Sequence, residues 1–132
     1  MTRWVRDAMY RGVISCAVDT PLEEIAHRLM EHQINALFVL DQSGKACGVV
    51  SQTDLVRAYV QGGWSDLVAE GIMTPGVVTV VPDIPVTAAA QLMLDKGIHR
   101  LLIVQGGLVP DRPVGILSMS DIVREMAQQG EL

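Results

Sequence analysis

Apolar positions follow a helical spacing in two stretches of the chain. In residues 21–33 the apolar side chains recur at i, i+3, i+4, i+7 and i+8, which places them on one face of a helix. These positions are Leu22, Ile25, Ala26, Leu29 and Met30. Residues 86–94 repeat the same spacing. The pattern therefore predicts two amphipathic helices of similar length.

The start of the first helix carries its own signal. Thr20 precedes Pro21, and Glu23 follows three residues after the threonine. A hydroxyl residue, a proline and a glutamate at these spacings are typical of an N-cap, a first-turn proline and a capping box. We therefore expect Thr20 to cap this helix.

Short apolar runs predict buried strands. Residues 14–18 and 77–81 are brief β-branched runs, and residues 37–40 and 101–104 are continuously apolar. Runs of this length and composition are typical of strands that are covered on both faces. A further strand, ending at Val50, is expected after the turn at residues 41–44.

The chain is a tandem duplication. At a shift of 64 residues, positions 9–43 match positions 73–107 without a gap, and at a shift of 67, positions 48–57 match positions 115–124. We place the two copies at residues 1–62 and 63–132, with two adjacent glycines at the join. Each copy reads strand, helix, strand, strand, helix, and the closing helices are predicted at about residues 52–61 and 119–129. The predicted class is α/β: two β-α-β-β-α repeats with pseudo-two-fold symmetry, their sheets packed face to face, forming two clefts between the copies.

Charge and hydropathy narrow the function classes. The 132 residues include 10 basic and 15 acidic side chains, a net charge of −5. A nucleic-acid-binding protein usually carries a basic excess because it neutralises phosphates, so that class is disfavoured. Hydrophobic residues make up 49% of the chain but aromatic residues only 4%, so the core must be aliphatic. So apolar a small chain predicts a partner surface, and we expect a homodimer.

Membrane and secreted proteins are also disfavoured. The longest unbroken apolar run has five residues, against the roughly 18 that a membrane helix needs. No apolar segment of the signal-peptide type follows the amino terminus, and two cysteines make a disulfide framework improbable. We therefore expect a cytoplasmic protein without a membrane partner.

Two matching polar motifs stand where a strand leads into a helix. Ser51 and Asp54 form one, and Ser118 and Asp121 form the other. The plain interpretation is a capping box; the functional interpretation is a phosphate at the helix N-terminus and a diol on the carboxylate. A further hydroxyl residue precedes each acid: Thr53 and Ser120.

A cationic pair distinguishes the two copies. His99 and Arg100 stand before the apolar run of the second copy, where the first copy has Asn35 and Ala36. They are either surface residues at a strand entrance or a phosphate clamp, since a guanidinium pairs bidentately with phosphate oxygens. We expect the two sites to differ, with the second copy binding phosphate better.

No catalytic or metal-binding motif is present in the sequence. The cysteines and histidines show neither a Cys-x-x-Cys nor a His-x-x-x-His spacing, and neither a nucleophile-elbow nor a P-loop pattern occurs. We therefore predict that the chain is not an enzyme, holds no metal and needs no cofactor.

The motifs resemble a known family. Residues 72–75 (Ile-Met-Thr-Pro), 77–83, 97–104 and 115–123 resemble a pair of cystathionine-β-synthase (CBS) domains, the Bateman module, and the likeness extends over both copies. This resemblance implies a regulatory module that senses adenine nucleotides such as AMP, ADP or ATP. It also implies pairing of modules through helices, here residues 55–59 and 122–126.

The resemblance implies a role for each candidate residue. The acids Asp121 and Asp54 would bind ribose hydroxyls, and Ser118 and Ser51 would reach phosphate. His99 and Arg100 match the phosphate-binding pair of the family, and Thr79 to Val81 would hold the base. Two alternatives stay open: a structural or dimerisation module with vestigial clefts, and a sensor of S-adenosyl compounds or NAD. An effector protein that reads the occupancy is a further possible partner.

Overall fold

The computed structural model describes residues 2–106 and 112–129, which form two compact units. The first unit is Ile14–Val77, and the second combines Met1–Val13 with Val78–Leu132. The units are offset from the sequence copies because the segment that leads into each copy belongs to the sheet of the other. This exchange is not visible in the duplication pattern.

The first unit contains a four-stranded sheet in the order β2-β3-β4-β5. Its β2 pairs with β3 in parallel, and the other two pairings are antiparallel. Its elements are β2 (Ser15–Ala17), α2 (Leu22–His32), β3 (Ala36–Leu40), β4 (Ala46–Ser51), α3 (Gln52–Gln61), a 3-10 turn (Trp64–Asp66), α4 (Ala69–Ile72) and β5 (Thr74–Pro75).

The second unit repeats this plan in the order β1-β8-β7-β6. Here β6 pairs with β7 in parallel, and the other pairings are antiparallel. Its elements are α1 (Val5–Ala8), β1 (Tyr10–Arg11), β6 (Thr79–Val80), α5 (Val86–Lys96), β7 (Arg100–Gln105), β8 (Arg112–Ser118) and α6 (Met119–Gln129). The predicted α/β class and the order of elements within each copy are confirmed, and α3 and α6 have the predicted bounds.

Each unit has its own aliphatic core. The apolar stripe of α2 packs with the central strand β3, and that of α5 packs with β7. Leu37 and Leu101, at equivalent positions of β3 and β7, are both fully buried. The alternate residues of these strands, Ala36, Phe38, Leu102 and Val104, are also buried, so both faces are covered, as the continuous apolar runs predict.

The predicted cap of α2 is wrong. Helix α2 begins at Leu22, its N-cap is Pro21, and no side chain accepts a hydrogen bond there. Thr20 is buried, and its hydroxyl oxygen accepts a hydrogen bond from the backbone N–H of Ala17 at 3.0 Å. The hydroxyl therefore stabilises the turn that leaves β2 and is not available to the helix.

A glycine in each unit allows the leading strand to approach closely. Gly115 of β8 is the register partner of Arg11 in β1, and Gly48 of β4 is the partner of Pro75 in β5. A methyl group on Gly115 would lie 2.6 Å from the backbone oxygen of Tyr10. On Gly48 the closest atom would be the sulfur of Met73, also at 2.6 Å.

We expect Gly115→Ala to destabilise the protein more than Gly48→Ala. A backbone oxygen within a strand pair cannot move away, whereas the flexible thioether of Met73 adopts another rotamer. Overpacking of the first kind costs about 1–3 kcal/mol of unfolding free energy, measured by urea denaturation. Equal losses in the two variants would contradict the proposed role of the backbone contact.

Candidate functional site

The candidate site lies at the turn from β4 into α3 in the first unit and at the turn from β8 into α6 in the second. In the first unit Ser51 is the N-cap of α3, and its hydroxyl oxygen accepts a hydrogen bond from the Asp54 N–H at 3.2 Å. In the second unit the Ser118 hydroxyl accepts from the Asp121 N–H at 3.3 Å. The capping interpretation of both motifs is therefore confirmed.

Each aspartate also accepts two hydrogen bonds from its serine. Asp121 Oδ2 accepts from the Ser118 N–H at 2.8 Å and from its hydroxyl at 3.0 Å. Asp54 Oδ2 accepts from the same groups of Ser51 at 2.9 and 3.0 Å. The carboxylate is thus fixed against the helix start by one of its oxygens.

The second carboxylate oxygen of each aspartate forms an ion pair with the arginine three residues later in the helix. The distance from Arg124 Nη1 to Asp121 Oδ1 is 2.8 Å, and from Arg57 Nη1 to Asp54 Oδ1 it is 3.4 Å. Both acids are largely buried while both guanidinium groups are largely exposed. These pairs have the i, i+3 geometry that stabilises a helix surface.

The neighbouring strand brings the cationic pair to this turn. Arg100 is the register partner of Ser118 across β7 and β8, and the Met119 N–H donates to the His99 carbonyl oxygen at 2.9 Å. Arg100 is half-buried and His99 is exposed. The second unit therefore brings His99, Arg100, Ser118 and Asp121 to one end of its sheet.

The equivalent turn of the first unit lacks charge on the neighbouring strand. Ala36 is the register partner of Ser51, and the Gln52 N–H donates to the Asn35 carbonyl oxygen at 2.9 Å. The backbone of the two turns is the same, and only the side chains differ. The expected asymmetry between the copies therefore has a structural basis.

Of the remaining candidates, Thr53 and Ser120 lie beside the capping motifs, whereas Thr79 and Val81 lie away from them. Thr53 and Ser120 are exposed in the first turns of their helices. Thr79 is on β6, beside β7, but its register partner is Leu102, two residues beyond Arg100. Val81 follows β6 and lines a concavity with Arg6 and Gln105, at the other end of β7 from Arg100. The structure thus places Thr79 and Val81 progressively further along the strand from the serine and aspartate.

Comparisons with known proteins identify the family. A family model described as CBS domain matches residues 5–61 and again residues 68–128. The chain belongs to the CBS domain family. It is 33% identical over 122 residues to the uncharacterized protein MK0525 of Methanopyrus kandleri, covering 91% of this chain and 61% of that protein. The chain therefore spans less than two thirds of that relative.

Solved CBS domain pairs share the fold. The CBS domain pair of protein MJ0100, in complex with 5'-methylthioadenosine and S-adenosyl-L-methionine, is 29% identical with a TM-score of 0.85, covering 98% of this chain and 99% of that chain. CBSX2 in complex with AMP is 26% identical with a TM-score of 0.78, covering 96% of this chain and 97% of that chain.

Neither a metal-binding cluster nor a membrane-spanning helix occurs among the residues that the structure describes. Across residues 2–106 and 112–129, no three histidine, cysteine or acidic side chains form a group that would hold a metal ion. In the same residues, no helix has both the length and the apolar character needed to cross a membrane. Burial raises the pKa of the Cys16 thiol, which disfavours its reactive thiolate form.

One charged pair on the site helix was missed by the sequence analysis. Glu125, buried on α6, accepts two hydrogen bonds from Arg3, with Nε–Oε2 at 2.9 Å and Nη2–Oε1 at 2.8 Å. The hydrogen bond from Arg3 holds the pKa of Glu125 below its usual range, although burial opposes the shift. At the shift of 67 residues Glu125 matches Ala58 of the first copy. An acidic residue at an apolar position of the helix was therefore the signal in the sequence that could have indicated a buried ion pair.

The first unit has an apolar pair where the second has this ion pair. In the second unit the Val86 N–H donates to the Arg3 carbonyl oxygen at 2.9 Å. The equivalent bond of the first unit runs from the Leu22 N–H to the Leu67 carbonyl oxygen at 3.3 Å. Leu67 and the buried Ala58 therefore occupy the positions of Arg3 and Glu125. The pair anchors the amino-terminal segment to the helix that carries Asp121.

We expect Arg3→Leu to lower the unfolding free energy more than the double variant Arg3→Leu/Glu125→Ala. The single change leaves a buried carboxylate without its cation, whereas the double change installs the side chains of the first unit. Urea unfolding at neutral pH measures both.

The unfolding free energies of these variants should also depend differently on pH. Because the pKa of Glu125 is lowered on folding, its stabilisation is complete above the ordinary glutamate pKa, about 4.3, and is lost as the pH falls through the folded value. This acid-sensitive contribution to the unfolding free energy should be absent from the double variant, which lacks Glu125. A double variant less stable than Arg3→Leu would contradict the assignment.

Proposed function

We propose that this CBS pair is a regulatory module that binds an adenine nucleotide and has no catalytic activity. The observation that carries the proposal is the group formed by His99, Arg100, Ser118 and Asp121 at the turn from β8 into α6. It combines a carboxylate suited to a diol with a guanidinium, an imidazole and a helix N-terminus suited to phosphate. The structures of related pairs with AMP and with S-adenosyl compounds support an adenosine ligand.

Each residue has a chemical role in this proposal. Asp121 Oδ1 accepts from the ribose, Arg100 and His99 contact phosphate, and Ser118 and Ser120 supply the turn and a nearby hydroxyl. Thr79 and Val81 contribute to the surface for the base. In the first unit Ser51, Thr53 and Asp54 form a second, weaker site, because the neighbouring Asn35 and Ala36 carry no charge.

Two alternatives have specific support. S-adenosyl-L-methionine and 5'-methylthioadenosine occupy a CBS pair that is 29% identical to this chain, and both lack phosphate. A phosphate-free ligand of that kind would use Asp121 without needing Arg100, whereas NAD, which carries a diphosphate, would use both. A purely structural module is favoured by the capping role of both aspartates, which accounts for the motifs without any ligand.

The test compares the two equivalent acids by isothermal titration calorimetry. With AMP, ADP or ATP, Asp121→Ala should weaken binding by about 1.5–3 kcal/mol, the range for a hydrogen bond to a charged group. Asp54→Ala is the matched control, since it removes the equivalent cap in the uncharged site, and should weaken binding less. Because each change removes a helix-cap interaction, it should lower the unfolding free energy by about 0.5–2 kcal/mol.

The outcomes separate the candidate functions. Equal losses in affinity would show that charge does not rank the two sites. Binding of S-adenosyl-L-methionine or NAD in place of the nucleotides would favour the corresponding alternative. No binding of any of these compounds by the unchanged protein would favour the structural module.

We further propose that the chain forms a homodimer in the cytoplasm and passes ligand occupancy to a separate effector protein. Val56, Tyr59, Val123 and Met126, on the faces of α3 and α6, are each more than half exposed. Burying such side chains contributes roughly 25 cal/mol per Å² of apolar area. Both cysteines are free thiols, in keeping with a reducing compartment.

Sedimentation at tens of micromolar tests the dimer. The unchanged chain should sediment at twice its monomer mass, and Val56→Glu/Val123→Glu should be a monomer because charges then face the interface. Met30→Glu, at a still more exposed apolar position on α2, is the control and should stay dimeric. A monomer in the unchanged protein would exclude this proposal.

A further inference from the structure

The helix cap uses both hydrogen-bond acceptor positions of one Asp121 carboxylate oxygen and neither position of the other oxygen. A carboxylate oxygen accepts about two hydrogen bonds, one for each lone pair. Oδ2 already accepts two from Ser118, at 2.8 and 3.0 Å. Oδ1 accepts one from Arg124, at 2.8 Å. One acceptor position therefore stays open on this carboxylate.

This limit bears on how a ribose would bind, a step that rests on the proposed function. The two neighbouring hydroxyls of a ribose both donate hydrogen bonds. With Arg124 in place only one of them finds an acceptor on Asp121. With Arg124 displaced, Oδ1 accepts both.

The guanidinium leaves at little cost. The side chain of Arg124 is 61% exposed, whereas that of Asp121 is 12% exposed, so water solvates the released cation but not the acid. An exposed ion pair of this kind changes an equilibrium by about fivefold at most.

We propose that Arg124 competes with the ribose diol for Asp121 and so determines the specificity and affinity of the site. The competition lowers the affinity for ligands that carry both hydroxyls. It thereby raises the ligand concentration at which the module responds. The first unit contains a weaker form of the same contact, because Arg57 lies 3.4 Å from Asp54.

The test measures the energetic coupling between Arg124 and the diol. Calorimetry gives the dissociation constants of AMP and of 2',3'-dideoxy-AMP, which carry the same phosphate, so the long-range attraction of an arginine cancels in their ratio. This ratio is compared in the unchanged protein, Arg124→Gln, Arg124→Lys and Arg57→Gln. Thermal unfolding confirms that each variant is folded.

We expect the preference for AMP over the dideoxy compound to rise about two- to fivefold in Arg124→Gln. Arg124→Lys keeps a competing cation and should stay near the unchanged ratio. Arg57→Gln is the matched control and should change the ratio less than Arg124→Gln.

Every other result overturns the proposal in a distinguishable way. An unchanged ratio in Arg124→Gln would show that the arginine is only a helix-surface partner, and a reduced ratio would show that it assists the diol. If the unchanged protein binds both nucleotides equally, the diol is not recognised, yet nucleotide binding stands. If it binds neither of them, and ADP and ATP do not bind either, the proposed function fails as well.

Discussion

The hydrogen bonds between each capping serine and the aspartate three residues later are the interaction on which the site depends. A strand ends and a helix begins at a single serine, so the N–H groups of the first helical turn have no partner within the helix. The serine hydroxyl satisfies one of them, and the carboxylate satisfies the serine's own N–H. This exchange fixes the acid beside the helix N-terminus and leaves its other oxygen for a further partner. The same side chain therefore serves the fold through one carboxylate oxygen and the proposed binding site through the other.

Duplication explains why two such turns exist, and later divergence explains why they differ. The strand pairing, the caps and the bond from the helix start to the neighbouring strand are the same in both units, because they are made by backbone and by the Ser-x-x-Asp motif. Side chains that the backbone does not constrain have diverged. Arg100 stands where the first unit has Ala36, and Glu125 where it has Ala58. The second unit thus carries charges at these two positions that the first unit lacks, with the same topology.

The sequence predicted the elements well wherever periodicity and duplication agreed. Helices α3 and α6 begin directly after Ser51 and Ser118, and the buried runs became the central strands β3 and β7. It failed at Thr20, because the same hydroxyl is able to cap a helix or close a turn, and the choice depends on Ala17, whose N–H lies within reach only in the folded chain. It also missed the exchange of the leading strands, since the two-residue strands β1 and β5 are too short to show a period. The Arg3–Glu125 pair was missed because its partners are 122 residues apart.

The capping and binding interpretations of Ser-x-x-Asp are often treated as alternatives, but the hydrogen bonds show that they are compatible. The cap uses Oδ2 and leaves Oδ1, so a ligand hydroxyl has no need to disturb the helix start. What the cap does exclude is a ligand that requires both oxygens of the acid, because Oδ2 is already saturated. A site built on this turn is therefore limited to contacts that one carboxylate oxygen can make, and its affinity depends on whichever groups share that oxygen. In the second unit this group is the exposed guanidinium of Arg124, which in our proposal makes the helix surface part of the binding equilibrium.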